Sequence, residues 1–444
     1  MEHRTRDKLL SNFNNLHRWL FYLLLLLIPT QLGYHFWPDF AFVNGIRVDY
    51  LAPTIYLTDL LILGIGISWL LSKITNDDLP ARNASRNMRD AGGRITQYRI
   101  LIAGILFFIF NLLFSDVSQL TLLNLLTILK LTFIAVYIVK TKPDLKISSG
   151  YLLVASGYSS LIAWIQFINQ SSIGGLLWFL GERTFDVTTP GIATAIMNNK
   201  LILRPYATFP HPNVLAGFIT VLLPLVFFNT SVIVRKVKLP LLIFFLATLF
   251  ITFSRSAWMV AGILLTVVLI SNLPAGKAGQ HYLRIRNRNR VAWILVAIIL
   301  IILLPFLSER IANLSSVDIQ SVTRRMDLNY AALNMMKDNP IFGVGLNNFL
   351  VALPSYTTID SYQDLQPAHN IYLLLLAEWG VVGSAMVIFL LIKLLFSTSY
   401  KILLPLVALL LLGLFDHYPY TIHQIQLLFA VLVGFTISLK HEIY

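Results

Sequence analysis

Arg204, Arg255, Arg325 and His369 stand at the edges of long apolar blocks, in stretches otherwise sparing of cations. Arg204 lies in Arg204-Pro205-Tyr206-Ala207-Thr208-Phe209-Pro210-His211-Pro212-Asn213. The prolines predict a stiff, non-helical entry into a helix. A guanidinium fixed at a helix mouth suits a phosphate, because its planar fork pairs phosphate oxygens and free helix N–H groups add to the field. The bland alternative is an interfacial arginine reaching back to water. Arg255, in the short corner Phe253-Ser254-Arg255-Ser256, must face the bundle or a wet cavity, since a charge against lipid is costly. A tie to a loop carbonyl would also satisfy it. Arg324 and Arg325 open an amphipathic stretch. Adjacent residues point apart on a helix, so one of them at most reaches a given ligand, and Asp318 or Asp327 is an alternative partner. His369, in Gln366-Pro367-Ala368-His369-Asn370-Ile371-Tyr372, offers an imidazole that can take a proton from a hydroxyl near neutral pH. Asp416, His417 and His423 carry metal-ligand side chains, but their spacing is too loose to assign a metal.

The elements that must hold these groups are membrane helices. The 444 residues are 57% hydrophobic and 12% charged, with mean hydropathy +0.72. The apolar residues come in blocks of bilayer length, and lipid leaves helices as the spanning form when no alternating barrel strands are visible. The predicted helices cover roughly 18–36, 53–72, 100–115, 120–139, 148–169, 212–234, 239–253, 257–273, 291–307, 369–392, 402–415 and 422–439. The first is a retained helix, since Gln31, Tyr34, His35 and Trp37 follow it in place of a small-residue cleavage site. The pair around Ser254-Arg255-Ser256 also reads as one long broken helix.

A net charge of +13 in a soluble chain would indicate nucleic acid. Here the basic residues fall between apolar blocks, where they orient the chain, so no nucleic-acid partner is expected. With both termini cytoplasmic, every inner segment is basic, including Lys140, Lys142 and Lys146, and the run Arg284, Arg286, Arg288 and Arg290. That run could also touch anionic lipid headgroups. The absence of cysteine excludes disulfides, thiolate metal sites and cysteine nucleophiles.

Two outer segments are long, about 170–211 and 308–368. Loops of such length are usually functional. In the second, Met326, Tyr330, Leu333 and Met336 predict the apolar face of a short helix over the bundle mouth. Pro340 ends it, and Gly343-Val344-Gly345 forms a turn. Asp59, Lys130 and Glu378 lie within predicted helices, and intramembrane charges are functional candidates. Lys130 pairing with Asp59 or with Glu378 is the structural alternative.

Taken together, three stretches resemble the O-antigen ligase and polymerase superfamily: Arg204 to Asn213; Arg325 through Asn339-Pro340-Ile341-Phe342-Gly343-Val344-Gly345 to Phe349; and His369-Asn370-Ile371-Tyr372 to Glu378-Trp379-Gly380. The resemblance covers about residues 200–392. It differs at two places: the family often has glycine where this chain has Ala207, and tryptophan where it has Asn329.

The resemblance implies one integral membrane domain over 1–444, all-α and polytopic. Its bundle is C-type glycosyltransferase-like, with about 12 transmembrane helices and the large outer loop between the ninth and tenth. It implies a metal-independent, inverting glycosyltransferase of the bacterial inner membrane, working on the outer face without a cofactor. The donor would be an undecaprenyl-diphosphate-linked glycan. The acceptor would be a hydroxyl of a lipid A core, another glycan or a protein. By that resemblance Arg204 and Arg325 hold the donor diphosphate and His369 is the general base. Arg255, Lys130, Arg324, Asn213 and Asn370 are the further substrate-binding candidates. A transporter or flippase of lipid-linked oligosaccharide is the alternative, which predicts a charged path across the midplane and repeat symmetry.

Overall fold

The computed structural model describes residues 2–75, 102–197, 200–271, 316–359, 361–395 and 400–440. The predicted helix at 291–307 and the Arg284–Arg290 run lie outside the described residues.

The described helices are α1 (Glu2–Leu27), α2 (Leu57–Thr75), α3 (Ile102–Leu113), α4 (Ser118–Thr141), α5 (Leu145–Asn169), α6 (Pro212–Phe228), α7 (Val232–Ile251), α8 (Arg255–Ser271), α9 (Ser316–Asp338), α10 (Ile371–Leu395), α11 (Tyr400–Leu412) and α12 (His423–Lys440). Four segments are long and apolar enough to cross a bilayer: Leu57–Ile74, Ser118–Thr141, Leu145–Asn169 and Ile371–Leu395. Shorter apolar helices accompany them, among them Pro212–Phe228 and His423–Leu439. The chain is a helical membrane protein.

α6 is the hub. Val214 through Val226 are buried without a break, and the helix packs against α5, α7, α8 and α11. A helix that is apolar all round belongs in the middle of a bundle. Gly217 lets Tyr418 lie against its backbone, because a Cβ there would collide with the phenol ring.

Three expectations need correction. The first helix ends at Leu27, not near 36. Residues 33–56 instead form two short antiparallel pairs, β1 (Gly33–His35) with β4 (Thr54–Tyr56) and β2 (Phe42–Val43) with β3 (Ile46–Arg47). The inner pair turns on Asn44-Gly45, both at positive φ, which is the hairpin chemistry of an Asn-Gly dipeptide. A third pair, β5 (Thr194–Met197) with β6 (Lys200–Leu203), lies in the segment before α6, so the fold is mostly, not purely, helical.

The second correction concerns α9. Its buried face is Leu328, Ala331, Ala332 and Met335, while Met326 and Tyr330 are exposed. The two alanines allow close approach to α10, and that packing outweighs the larger side chains on the other face. The helix also starts earlier than Arg325, at Ser316.

The third concerns α10. It is broken at Gly380 (φ 61°, ψ −170°). The loop after α9 docks into the break: Val344 N–H donates to the Ala377 carbonyl (2.9 Å), Val381 N–H to the Pro340 carbonyl (2.8 Å), and Asn111 Nδ2 to the carbonyls of Phe342 (2.7 Å) and Glu378 (3.2 Å). A break in a membrane helix is tolerated when its freed backbone groups are satisfied in this way. The predicted Gly343-Val344-Gly345 turn is present, with both glycines at positive φ.

Candidate functional site

The entry to α6 is built from a buried amide. Gln166 on α5 accepts from the N–H groups of Tyr206 (3.0 Å) and Ala207 (2.7 Å), and donates to the Ala207 carbonyl and to Glu182 (2.7 Å). Glu182 in turn accepts from the N–H groups of Ile173 and Gly174. This clamp fixes Arg204 through Phe209 as a rigid strap. Ala207 sits at φ 50°, the left-handed region that favours glycine, so a glycine here would relieve strain.

Arg204 is held by the strap. Its Nε donates to the Thr252 carbonyl (2.7 Å) and one terminal nitrogen donates to Asn213 Oδ1 (2.6 Å). Asn213 then donates from Nδ2 to Asp416 Oδ2 (3.0 Å). His211 caps α6, its Nδ1 accepting from the Asn213 N–H (3.1 Å). Asn213 is therefore a bridge between Arg204 and Asp416.

Asp416 and His417 lie between α11 and the single turn Tyr418–Thr421, both buried. Asp416 Oδ1 accepts from the His417 N–H (2.9 Å), and the His417 ring shares a 2.7 Å hydrogen bond with the Thr421 hydroxyl. His369, from the loop before α10, packs edge-on against the His417 ring with centroids 5.0 Å apart. The His369 Nδ1 is enclosed and has no hydrogen-bond partner among the described residues.

Arg325 completes the cluster through its charge. Its field reaches His211, His369, Asp416 and His417. Burial pushes His369 down to about 3, with Asp416 opposing and His417 and Arg325 adding to the fall. Burial, with Arg204 next, takes His211 to about 3 as well. Burial would raise Asp416, but His369, His417, Arg325 and His211 outweigh it and hold its carboxyl well below the usual range. At neutral pH the site thus presents a neutral imidazole beside a carboxylate, flanked by guanidinium groups. A base, an anion to steady its conjugate acid, and cations for a leaving group are together the parts of an acid–base group transfer.

Residues 240–388 match the model of the O-antigen ligase family. That segment is O-antigen ligase-like. A domain of this family points to glycan transfer in lipopolysaccharide or glycan biosynthesis. The matched segment runs from α7 into α10. It includes Arg325 and His369 but neither Arg204 nor Asp416, which the fold brings to it. No curated protein matches the chain.

The other expected site residues divide. Arg324 has its own partners: its Nε donates to Asp364 (2.9 Å) and a terminal nitrogen reaches Gln363 (3.4 Å). Asn370 is a helix cap, its Oδ1 accepting from the N–H groups of Tyr372 (2.9 Å) and Leu373 (3.2 Å). Arg255 is the exposed first residue of α8. Lys130 pairs with Asp59 (2.8 Å), not Glu378. Glu378 accepts from the Tyr420 hydroxyl (2.7 Å).

The loose Asp416–His417–His423 grouping does not form. His423 bonds the Thr58 hydroxyl (2.7 Å) and stacks on Tyr56. It is His369 that joins Asp416 and His417, one potential ligand atom from each lying within 4.8 Å of the others. The donor set resembles a metal site by composition. Yet Asp416 already accepts from Asn213 and His417, His417 is bonded to Thr421, and Arg325 opposes a further cation. Asp416 is the candidate site residue that the sequence marked only as a possible metal ligand. The signal was a lone carboxylate in an apolar stretch, Gly413-Leu414-Phe415-Asp416.

Proposed function

We propose that this protein transfers a glycan from an undecaprenyl-diphosphate carrier to an acceptor hydroxyl at the outer face of the bacterial inner membrane, with both termini in the cytoplasm. The observation that carries the reading is the His369–Asp416 pair set beside Arg204 and Arg325. The acceptor oxygen attacks the anomeric carbon from the side opposite the diphosphate, and His369 takes its proton. The bond from that carbon to the diphosphate oxygen breaks, with inversion. Undecaprenyl diphosphate leaves with the electron pair, and Arg204 and Arg325 stabilise the charge that develops there. Asp416 stabilises the imidazolium as it forms. Guanidinium groups supply the cationic field, so we infer a metal-independent reaction.

The test is turnover by purified wild type and His369→Ala with an undecaprenyl-diphosphate oligosaccharide and a panel of lipid A core, glycan and protein acceptors, with and without chelator. Release of undecaprenyl diphosphate with a glycosylated product is expected. It should be lost in a folded His369→Ala and be indifferent to chelator. Full activity in His369→Ala would remove the general-base assignment. Movement of the intact lipid-linked glycan across liposomes without transfer would favour a flippase.

A further inference from the structure

A cavity of about 990 Å³ opens beside the His369–Asp416 cluster and runs between the 33–56 hairpins, α4, α10 and the start of α12. Pro210 and Pro367, which flank the cluster, line one end, with Tyr50 packed edge-on against His417. The other end is a polar floor made by three elements. Lys130 of α4 donates to Asp59 of α2 (2.8 Å), and His423 of α12 lies 3.8 Å from the same carboxylate oxygen. Asp59 also accepts from the Tyr56 N–H (2.9 Å), and Tyr56 stacks on His423 with ring centroids 4.2 Å apart.

Burying an ion pair against lipid would cost more than its Coulomb attraction returns. These charges instead face the cavity, the Lys130 and Asp59 side chains remaining 22% and 19% exposed. Gln31, Asn124, Gln426 and Glu378 line the same space, with Trp178. Lipid tails have no use for such a lining. Paired charges, amides and aromatic faces recognise a ligand carrying many hydroxyls on a partly apolar frame.

We propose that this cavity is a saccharide subsite, with the Asp59–Lys130 pair as its specificity floor, holding sugar units next to the reacting centre. This rests on the glycan-transfer reading for its place in the reaction, but not for binding itself. The pair offers an acceptor and a donor in fixed positions, so it selects sugars by hydroxyl pattern rather than by charge.

The test is direct binding of free oligosaccharides to the full-length protein in detergent, read by calorimetry. Two probes distinguish the source: the glycan released by mild acid from the lipid-linked donor, and the deacylated core oligosaccharide of the lipid acceptor. Wild type should bind one of them. The double variant Asp59→Asn/Lys130→Met should weaken it about tenfold, the scale of one hydrogen bond to a charged group. Thr127→Trp, which narrows the cavity from α4 with both charges left in place, should weaken it similarly, while Arg324→Ala, at a residue outside the cavity that pairs with Asp364, should bind as wild type does. Wild-type affinity retained in both cavity variants, or no binding of either probe to wild type, would overturn the subsite. Saccharide binding lost in the cavity variants alongside a wild type without turnover would keep the subsite and sink the transfer reading.

Discussion

One imidazole nitrogen of His369 and one carboxylate oxygen of Asp416 lie within 4.8 Å of each other, although one residue precedes α10 and the other follows α11. Asp416 offsets only part of what burial takes from the basicity of His369. A carboxylate beside it does little for the resting imidazole and much for the imidazolium that forms as the proton moves. Asp416→Asn keeps the shape but turns one of the two accepting oxygens into a donor. It should lower kcat by about 10²–10⁴-fold, and the melting temperature should fall as well, because a stabilising buried carboxylate is lost. A kcat within twofold of wild type would separate Asp416 from the chemistry.

Arg324 and Arg325 are neighbours with opposite fates. Arg325→Lys keeps the charge but loses the planar fork, and should reduce kcat/KM for the lipid donor by about 10²–10³-fold. Arg324→Ala breaks the pair with Asp364 and should cost about 0.5–1 kcal/mol of stability with turnover nearly intact. Parallel kinetics and thermal melts check both, and equal kinetic losses would contradict the assignment.

The site sets a direction for pH dependence. His369 and His211 titrate near 3 in the folded chain, against 6.5 ordinarily. Between those values the unfolded chain binds protons that the folded chain refuses. The stability from these groups is full above 6.5 and is lost as pH falls toward 3. Asp416 acts in the same sense lower down, since its carboxyl is depressed from 3.8. Melting temperature should therefore fall steadily below pH 6.5, and His211→Gln should flatten the slope. The acid limb of kcat/KM should lie well below 6.5, because a base with a lowered pKa stays unprotonated there.

Two backbone positions give opposite outcomes for one methyl group. At Gly380 a Cβ would collide with the Ile341 carbonyl, and φ is 61°. Gly380→Ala should cost more than about 3 kcal/mol and undo the docking of the loop after α9. At Ala207, φ 50° already strains a side chain. Ala207→Gly should add up to about 1 kcal/mol. Thermal melts in detergent read both.

Much of the architecture was legible without coordinates. The apolar blocks specified α2 to α5, α8 and α10 to α12 to within a few positions, because burial in lipid is a local demand on composition, while the α6–α7 junction and the start of α9 were not legible in hydropathy. Arg204, Arg325 and His369 stood out for a related reason: cations are rare at those helix mouths, and the motifs around them carry the resemblance. The Asn44-Gly45 hairpin went unread because its strands are only two or three residues long.

By itself the sequence determined a helical membrane protein, its O-antigen ligase-like segment and the three residues at the centre of its candidate site. Tertiary structure alone decided that Asp416 lies beside His369, that Asp59 rather than Glu378 takes Lys130, that Arg324 turns to Asp364, and that the alanine face of α9 is the buried one. Hydropathy is a property of neighbours along the chain. The partner of a charge, and the face that packs, depend on which distant helices arrive beside it. Small residues and a broken helix at Gly380 settle that by shape, which composition does not record.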